Sequence, residues 1–328
     1  MKKAISIMMI LLVAGMLWSA GQSDSGMSKE FPEKPIEVYV GFAPGGGTDL
    51  LVRQLVRNME PVLGTSLTVI NKNGAGGLLA IKDMMARPAD GYTLAVILGN
   101  QFLQKYYKGQ DSWIDPLTDV TLLGVFNHDA WGIAVSKDAP FDDINGFIQY
   151  AKQNPQMTVG AGAPGTLYYW TWEALMDIAD IDLTIVPFGG TALSLSALAG
   201  GELLAAGASP SEADALMSSG LIKMIGVASE KRLKAYPAIP TFIEGNLDMV
   251  IGPWRALVGP KGMPAEVITK LEEAIEKAYF SADFQKFIDA QGFGPLYMNI
   301  EDGRAFFVQE DQFFREIMQK SGELRGGM

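Results

Sequence analysis

The clearest chemistry in the chain lies in Gly41-Phe42-Ala43-Pro44-Gly45-Gly46-Gly47-Thr48-Asp49, between an apolar run, Ile36 to Val40, and an amphipathic run that begins at Leu50. A glycine loop between strand and helix lets backbone N–H groups approach a ligand, and the positive end of the helix faces the loop. Thr48 is expected to cap that helix. Such a loop prefers an anion. Gly41, Gly46 and Thr48 match the spacing of the phosphate loop G-x-x-x-x-G-K-[ST], but Gly47 stands where the lysine belongs. Without that ammonium a triphosphate is a poor fit. A carboxylate fits better, since a few backbone donors and a hydroxyl suffice. The competing reading is a tight structural turn.

The theme recurs. Asn71 to Gly77 follows the strand-like run Leu67 to Ile70, Gly160 to Thr166 follows Met157 to Val159, and Phe188-Gly189-Gly190-Thr191 follows Ile185 to Pro187. Each precedes a helix-like run. Asp49, in the first turn of its helix, is read first as a brace for the glycine loop and second as an acceptor for a ligand amine or hydroxyl. Arg53 and Arg57 lie further along and are expected to serve the surface, so recognition is expected from backbone donors with hydroxyls, without an arginine. In Leu167-Tyr168-Tyr169-Trp170-Thr171-Trp172, Tyr168 is expected to wall a pocket and Trp172 to fill a core.

These loops need sheets to hold them. Strand-like and helix-like runs alternate through most of the chain, which implies parallel sheets with right-handed crossovers, and ligands bind at the carboxyl edges of such sheets. At 328 residues, 48% hydrophobic and 19% charged, the chain can build two cores. One lobe is expected from 31–124 with 228–328 and the other from 125–227, the chain crossing near Leu122 to Phe126 and again near Ile225 to Ser229. The C-terminal helices are expected to cover one lobe or brace both.

Lys2 and Lys3, the apolar run Ala4 to Trp18 and Ser19-Ala20-Gly21 follow the pattern of a secretory signal over 1–21, with a flexible tether over 22–30. The mature protein is therefore expected outside the cytoplasm. Cleavage removes two lysines and no acid, which takes the net charge from −11 to −13. That disfavours nucleic acid and anionic membrane surfaces as partners. The absence of cysteine removes lipid attachment, disulfides and thiolate chemistry. With His128 as the only histidine, no His-rich metal site forms, and no cofactor or metal is expected. The alternative function is a secreted hydrolase using His128 beside Asp129, although no G-x-S-x-G elbow is present.

Several stretches together carry a family resemblance: Pro44 to Asp49, Asn71 to Gly77 followed by Asp90-Gly91-Tyr92-Thr93-Leu94, Pro187 to Gly190 before Gly200-Gly201, and Ser229 to Arg232 before Pro240-Thr241. From Pro32 to about Met298 the chain resembles the extracytoplasmic receptors of the tripartite tricarboxylate transporter system, the Bug receptors. The resemblance implies an α/β, two-lobed periplasmic-binding-protein fold, type II-like, each lobe a mainly parallel sheet flanked by helices. It implies a monomer that closes on a small di- or tricarboxylate or related acid and delivers it to membrane transporter subunits. Mapped by motif, the ligand contacts are Gly46, Gly47, Thr48 and Asp49, then Ala75 and Gly76, then Ala163, Pro164, Gly165 and Thr166, with Tyr168 and Gly190 beside them. Where the family commonly has a Gly-Ser-Gly loop and a histidine near the helix start, this chain has Ala163 to Thr166 and Tyr168-Tyr169-Trp170.

Overall fold

Short β-branched and apolar runs form ten strands in two sheets, here described from a computed structural model over residues 31–109, 111, 113–162 and 166–327. The expected signal segment and tether lie outside the described residues. The first sheet contains β1 (Ile36–Val40), β2 (Leu67–Asn71), β3 (Thr93–Leu98), β4 (Val120–His128) and β10 (Trp254–Pro260), in the order β2-β1-β3-β10-β4. The second contains β5 (Gly132–Ser136), β6 (Met157–Ala161), β7 (Leu183–Pro187), β8 (Ala205–Ala208) and β9 (Ile222–Val227), in the order β7-β6-β8-β5-β9. Both sheets thus have one plan, with a strand inserted between the third and fourth of a β-α-β series.

The sheets are mixed, where the alternation suggests mainly parallel ones. β1 pairs in parallel with β2 and β3, and β6 with β7 and β8, but β10 and β5 run antiparallel to both of their neighbours. The reason is how the inserted strands arrive. Parallel neighbours need a long crossover, usually through a helix. β5 instead follows β4 after the short passage 129–131, and β10 comes back from the second lobe. The passage and the return segment bond to each other: Asp129 N–H donates to Pro253 O at 2.9 Å, Trp131 N–H to Ile251 O at 3.0 Å, and Ala228 N–H to Trp131 O at 2.7 Å.

β3 is buried along its whole length, as expected of a strand covered on both faces. α1 (Gly47–Leu63) packs on β2 and β1, buries Leu51, Val52, Leu55, Val56 and Met59, and ends where Gly64 takes the left-handed conformation at φ 70°. Each such side chain contributes roughly 1.5–3 kcal/mol relative to exposure. Further helices are α2 (Leu78–Met85), α3 (Asn100–Tyr106), α4 (Ile144–Gln153), α5 (Leu167–Ala179), α6 (Thr191–Ala199), α7 (Pro210–Ser218), α8 (Ala265–Tyr279), α9 (Ala282–Gln291) and α10 (Ile300–Lys320). The C-terminal helices dock on the first lobe: α8 on α1 and β4, α9 on α1, and α10 on α3 and β4. In the second lobe, the buried ring of Trp172 meets Trp131 edge-on at 5.1 Å, and its Nε1–H donates to Gly160 O at 3.1 Å.

Candidate functional site

The loops after β1, β2 and β3 lie at one edge of the first sheet, and those after β6, β7 and β8 at the matching edge of the second. α1 starts at Gly47 with Gly46 as its extended N-cap, so Thr48 falls inside the first turn and does not cap the helix. Its Oγ1 instead accepts from Arg255 Nε at 2.9 Å. Leu50 N–H is the first to bond back, to Gly46 O at 3.0 Å, and the N–H groups of Gly47, Thr48 and Asp49 meet no acceptor among the described residues. These donors and the helix dipole face the same space.

Asp49 is 2% exposed, and its carboxylate is filled from three sides. Gly45 N–H donates at 2.9 Å, Arg53 Nε at 2.9 Å and Asn71 Nδ2 at 2.8 Å. Burial alone pushes its carboxyl up, but the bonds from Arg53, Gly45 and Asn71 outweigh it and hold the group below its ordinary range. Arg53 also donates to Asn71 Oδ1 at 2.9 Å. The arginine expected to serve the surface is therefore half-exposed and joins the first loop to the second, because the Asp49 carboxylate lies one turn before it on the same helix face.

In the second loop, Ala75, Gly76 and Gly77 take left-handed φ values of 49°, 61° and 98° in succession. Ala75 does so without glycine's freedom, a strain held by its surroundings. Gln101 Nε2 donates to Gly76 O at 3.0 Å and Gln104 Nε2 to Ala75 O at 2.9 Å. With the carbonyls so engaged, the N–H groups of Ala75 and Gly76 meet no acceptor among the described residues. A Cβ on Gly41 would lie 2.3 Å from Gly77 Cα, so the two loops touch backbone to backbone.

Among the described residues, a hydrogen bond to Asn100 and the Tyr107–Trp170 ring contact at 5.4 Å link the lobes near this edge. Asn100 Oδ1, on α3, accepts from Leu167 N–H at the head of α5 at 3.0 Å. Next to it the half-buried Tyr168 donates its hydroxyl to Glu212 Oε2 at 2.7 Å, with Glu212 itself part of the capping box of α7. Burial pushes the Tyr168 phenol well up, Glu212 adds to the rise, and the opposed charges of Asp129 and Arg255 are felt there too. Thr166 is the extended N-cap of α5, and Ala163, Pro164 and Gly165 lie outside the described residues. Gly190 heads α6, where an added Cβ would meet nothing within 4 Å. The structure thus ties the first loop to the second through Asp49, Arg53 and Asn71 and through the Gly41–Gly77 approach, and links α3 to the head of α5 through Asn100, with Gly190 on a separate loop.

Sequence reasoning missed Arg255. It is 6% exposed on β10, behind Thr48, with Nη1 bonded to Asn127 Oδ1 and, at 2.6 Å, to Asp129 Oδ2. A signal was present: a lone charge in the otherwise apolar strand Trp254–Pro260 must be paired or functional. The same pairing bears on the hydrolase alternative. Asp129 is engaged by Arg255, Asn127 and Gly294 N–H and is not arranged to orient a base, while burial lowers the His128 pKa and its ring lies 6.4 Å from Phe306. Among the described residues no group of His, Asp or Glu is placed to hold a metal ion, and no helix is long and apolar enough to cross a membrane.

Residues 51–323 match the family described as "Tripartite tricarboxylate transporter family receptor". A solved structure of a TctC solute binding protein from Polaromonas is 30% identical, covers 89% of this chain and 100% of its own, and superposes with a TM-score of 0.73. The periplasmic binding protein BugD is 26% identical, covers 90% and 100%, and has a TM-score of 0.79. A Cupriavidus necator protein described as "UPF0065 protein in gbd 5'region" is 29% identical over 92% of both chains.

Proposed function

Because the chain belongs to the tripartite tricarboxylate transporter family of receptors, we propose that it works outside the cytoplasm, captures a small organic carboxylate between its lobes and delivers it to membrane transporter subunits. The observation that carries this reading is the set of backbone N–H groups at Gly47, Thr48, Asp49, Ala75 and Gly76, none of which has an acceptor among the described residues. Donors converging without acceptors suit an anion. The absence of the phosphate-loop lysine at Gly47 favours a carboxylate. Thr166, Tyr168, Gly190 and the segment Ala163–Gly165 are the proposed second-lobe wall. Export rests on the signal pattern of residues 1–21, and one copy of the chain suffices for a site built from its own two lobes.

The test is a thermal-shift screen of the folded protein against acetate, succinate, malate, adipate and citrate. Binding to the folded state alone stabilises by about 2.7 kcal/mol at a hundredfold excess over Kd, so a true ligand raises the Tm visibly. No rise with any acid sinks the carboxylate reading. Small-angle scattering with the best acid is expected to show compaction, since a ligand held by both lobes favours the closed state through contacts made only there.

A further inference from the structure

We propose that Arg255 is the residue that reads the charge of the ligand's carboxylate, by aiming the Thr48 hydroxyl hydrogen and its own Nη2 N–H pair at the group bound over the head of α1. The inference rests on the carboxylate-receptor reading and adds a side-chain cation to it.

Counting donors leads to this assignment. A guanidinium carries five N–H bonds. In Arg255, Nε–H goes to Thr48 Oγ1 at 2.9 Å and Nη1 serves Asn127 Oδ1 and Asp129 Oδ2, whereas no described residue accepts from Nη2. The residue is 6% exposed, yet Nη2 is not among the buried polar atoms left without a partner, so its two hydrogens open onto the space at the loop edge and are free for an acceptor there. Their position indicates what that is. A Cβ on Gly47 would lie 3.7 Å from Nη2, so this nitrogen sits against the backbone whose N–H groups are also unmatched. The Phe293 ring, 5.8 Å from the guanidinium carbon and 3.5 Å from the same Cβ position, screens one side from water.

Thr48 completes the seat. A hydroxyl has one hydrogen, and here the oxygen already accepts from Arg255, so the hydrogen must turn elsewhere. Thr48 is 7% exposed, and no described residue accepts from its hydroxyl. The remaining acceptor is a ligand oxygen, reached through a hydroxyl polarised by the guanidinium behind it. Asp129 at 2.6 Å and Asn127 fix the plane of the fork. They lie at the end of β4 and in the passage to the second lobe, so the carboxylate seat is anchored where the lobes join.

Calorimetry with the acid that most raises the wild-type Tm tests the proposal. Replacing Arg255 alone strands Asp129 as a buried unpaired charge and risks unfolding, so the main variant removes both charges, Arg255→Met with Asp129→Asn. It is expected to keep a cooperative thermal transition and to bind at least a hundredfold more weakly. Thr48→Val is expected to lose tenfold or more, and Thr48→Ser, which restores the hydroxyl, to return within threefold of wild type. Arg255→Lys keeps the charge but not the fork, and is expected to bind about tenfold more weakly. A folded double variant that binds within threefold of wild type overturns the assignment and leaves the receptor reading standing. If the double variant does not fold, Arg255→Lys and Thr48→Val decide: wild-type affinity in both overturns the assignment. A wild type that none of the five acids stabilises overturns the receptor reading and this inference with it.

Discussion

Asp49 shows how much one side chain holds. It is buried, it receives bonds from Gly45, Arg53 and Asn71, and through them it ties the first loop to β2 and the second loop. Asp49→Ala leaves those donors without their acceptor and is expected to cost on the order of 1–3 kcal/mol, read from urea denaturation. Because the fold lowers this carboxyl's pKa, its stabilising contribution is present above the unfolded value and disappears as pH falls through the folded one. Wild type and variant should therefore converge in stability in acid. If they differ equally at all pH values, the charge of Asp49 is not what holds the loop. The ligand-binding alternative for Asp49 has less room, since both carboxylate oxygens are already accepting bonds within the fold.

At the scale of elements, the glycine loops differ position by position. Gly41 is at a close approach: an added Cβ would sit 2.3 Å from Gly77 Cα and 2.8 Å from its carbonyl oxygen, so the loops must separate to admit it. Gly45, at φ 79°, has open space around it and needs glycine only for its backbone angle. Gly41→Ala is expected to lower stability by at least about 2–3 kcal/mol, and Gly45→Ala by about 1 kcal/mol. Chemical denaturation of the two variants checks the order. Equal losses would show that the loop contact yields easily. The sequence displayed these loops because glycine runs between strand-like and helix-like patterns are visible without coordinates. It did not display the Gly41–Gly77 contact or the path of Arg255, which depend on residues far apart in the chain meeting across β1, β2 and β10. The direction of β5 and β10 was hidden for a similar reason, since alternation of patterns does not say from which lobe a strand arrives. Trp172, by contrast, was legible as core, whereas the Thr48 hydroxyl, expected to cap α1, accepts from Arg255 instead.

The two lobes share one plan, and the first is thickened by the C-terminal helices, so coupling between distant parts of the chain concentrates around β10. Its Trp254 donates Nε1–H to Glu310 Oε2 of α10 at 2.5 Å, and the next residue is Arg255. Burial raises the Glu310 carboxyl to about 7, with the Trp254 bond opposing the rise. Since the folded value exceeds the unfolded one, the folded state binds more protons across the interval, and stability falls as pH rises from the ordinary carboxylate value to about 7. The loss is at most about 3–4 kcal/mol, from a shift of this size. His128, whose ring meets Phe306 beside Trp254, titrates with the opposite sign: burial lowers its pKa, so its protonation in acid destabilises the fold. The net pH profile mixes both, and a substitution separates them. Glu310→Gln keeps an acceptor for Trp254 and abolishes the carboxyl's titration. Urea midpoints at pH 5 and pH 8 are expected to show the variant gaining on wild type at pH 8, while the His128 contribution stays the same in both proteins. If the difference between variant and wild type is equal at the two pH values, Glu310 titrates as an ordinary surface carboxylate and the join between α10 and β10 is not pH-sensitive.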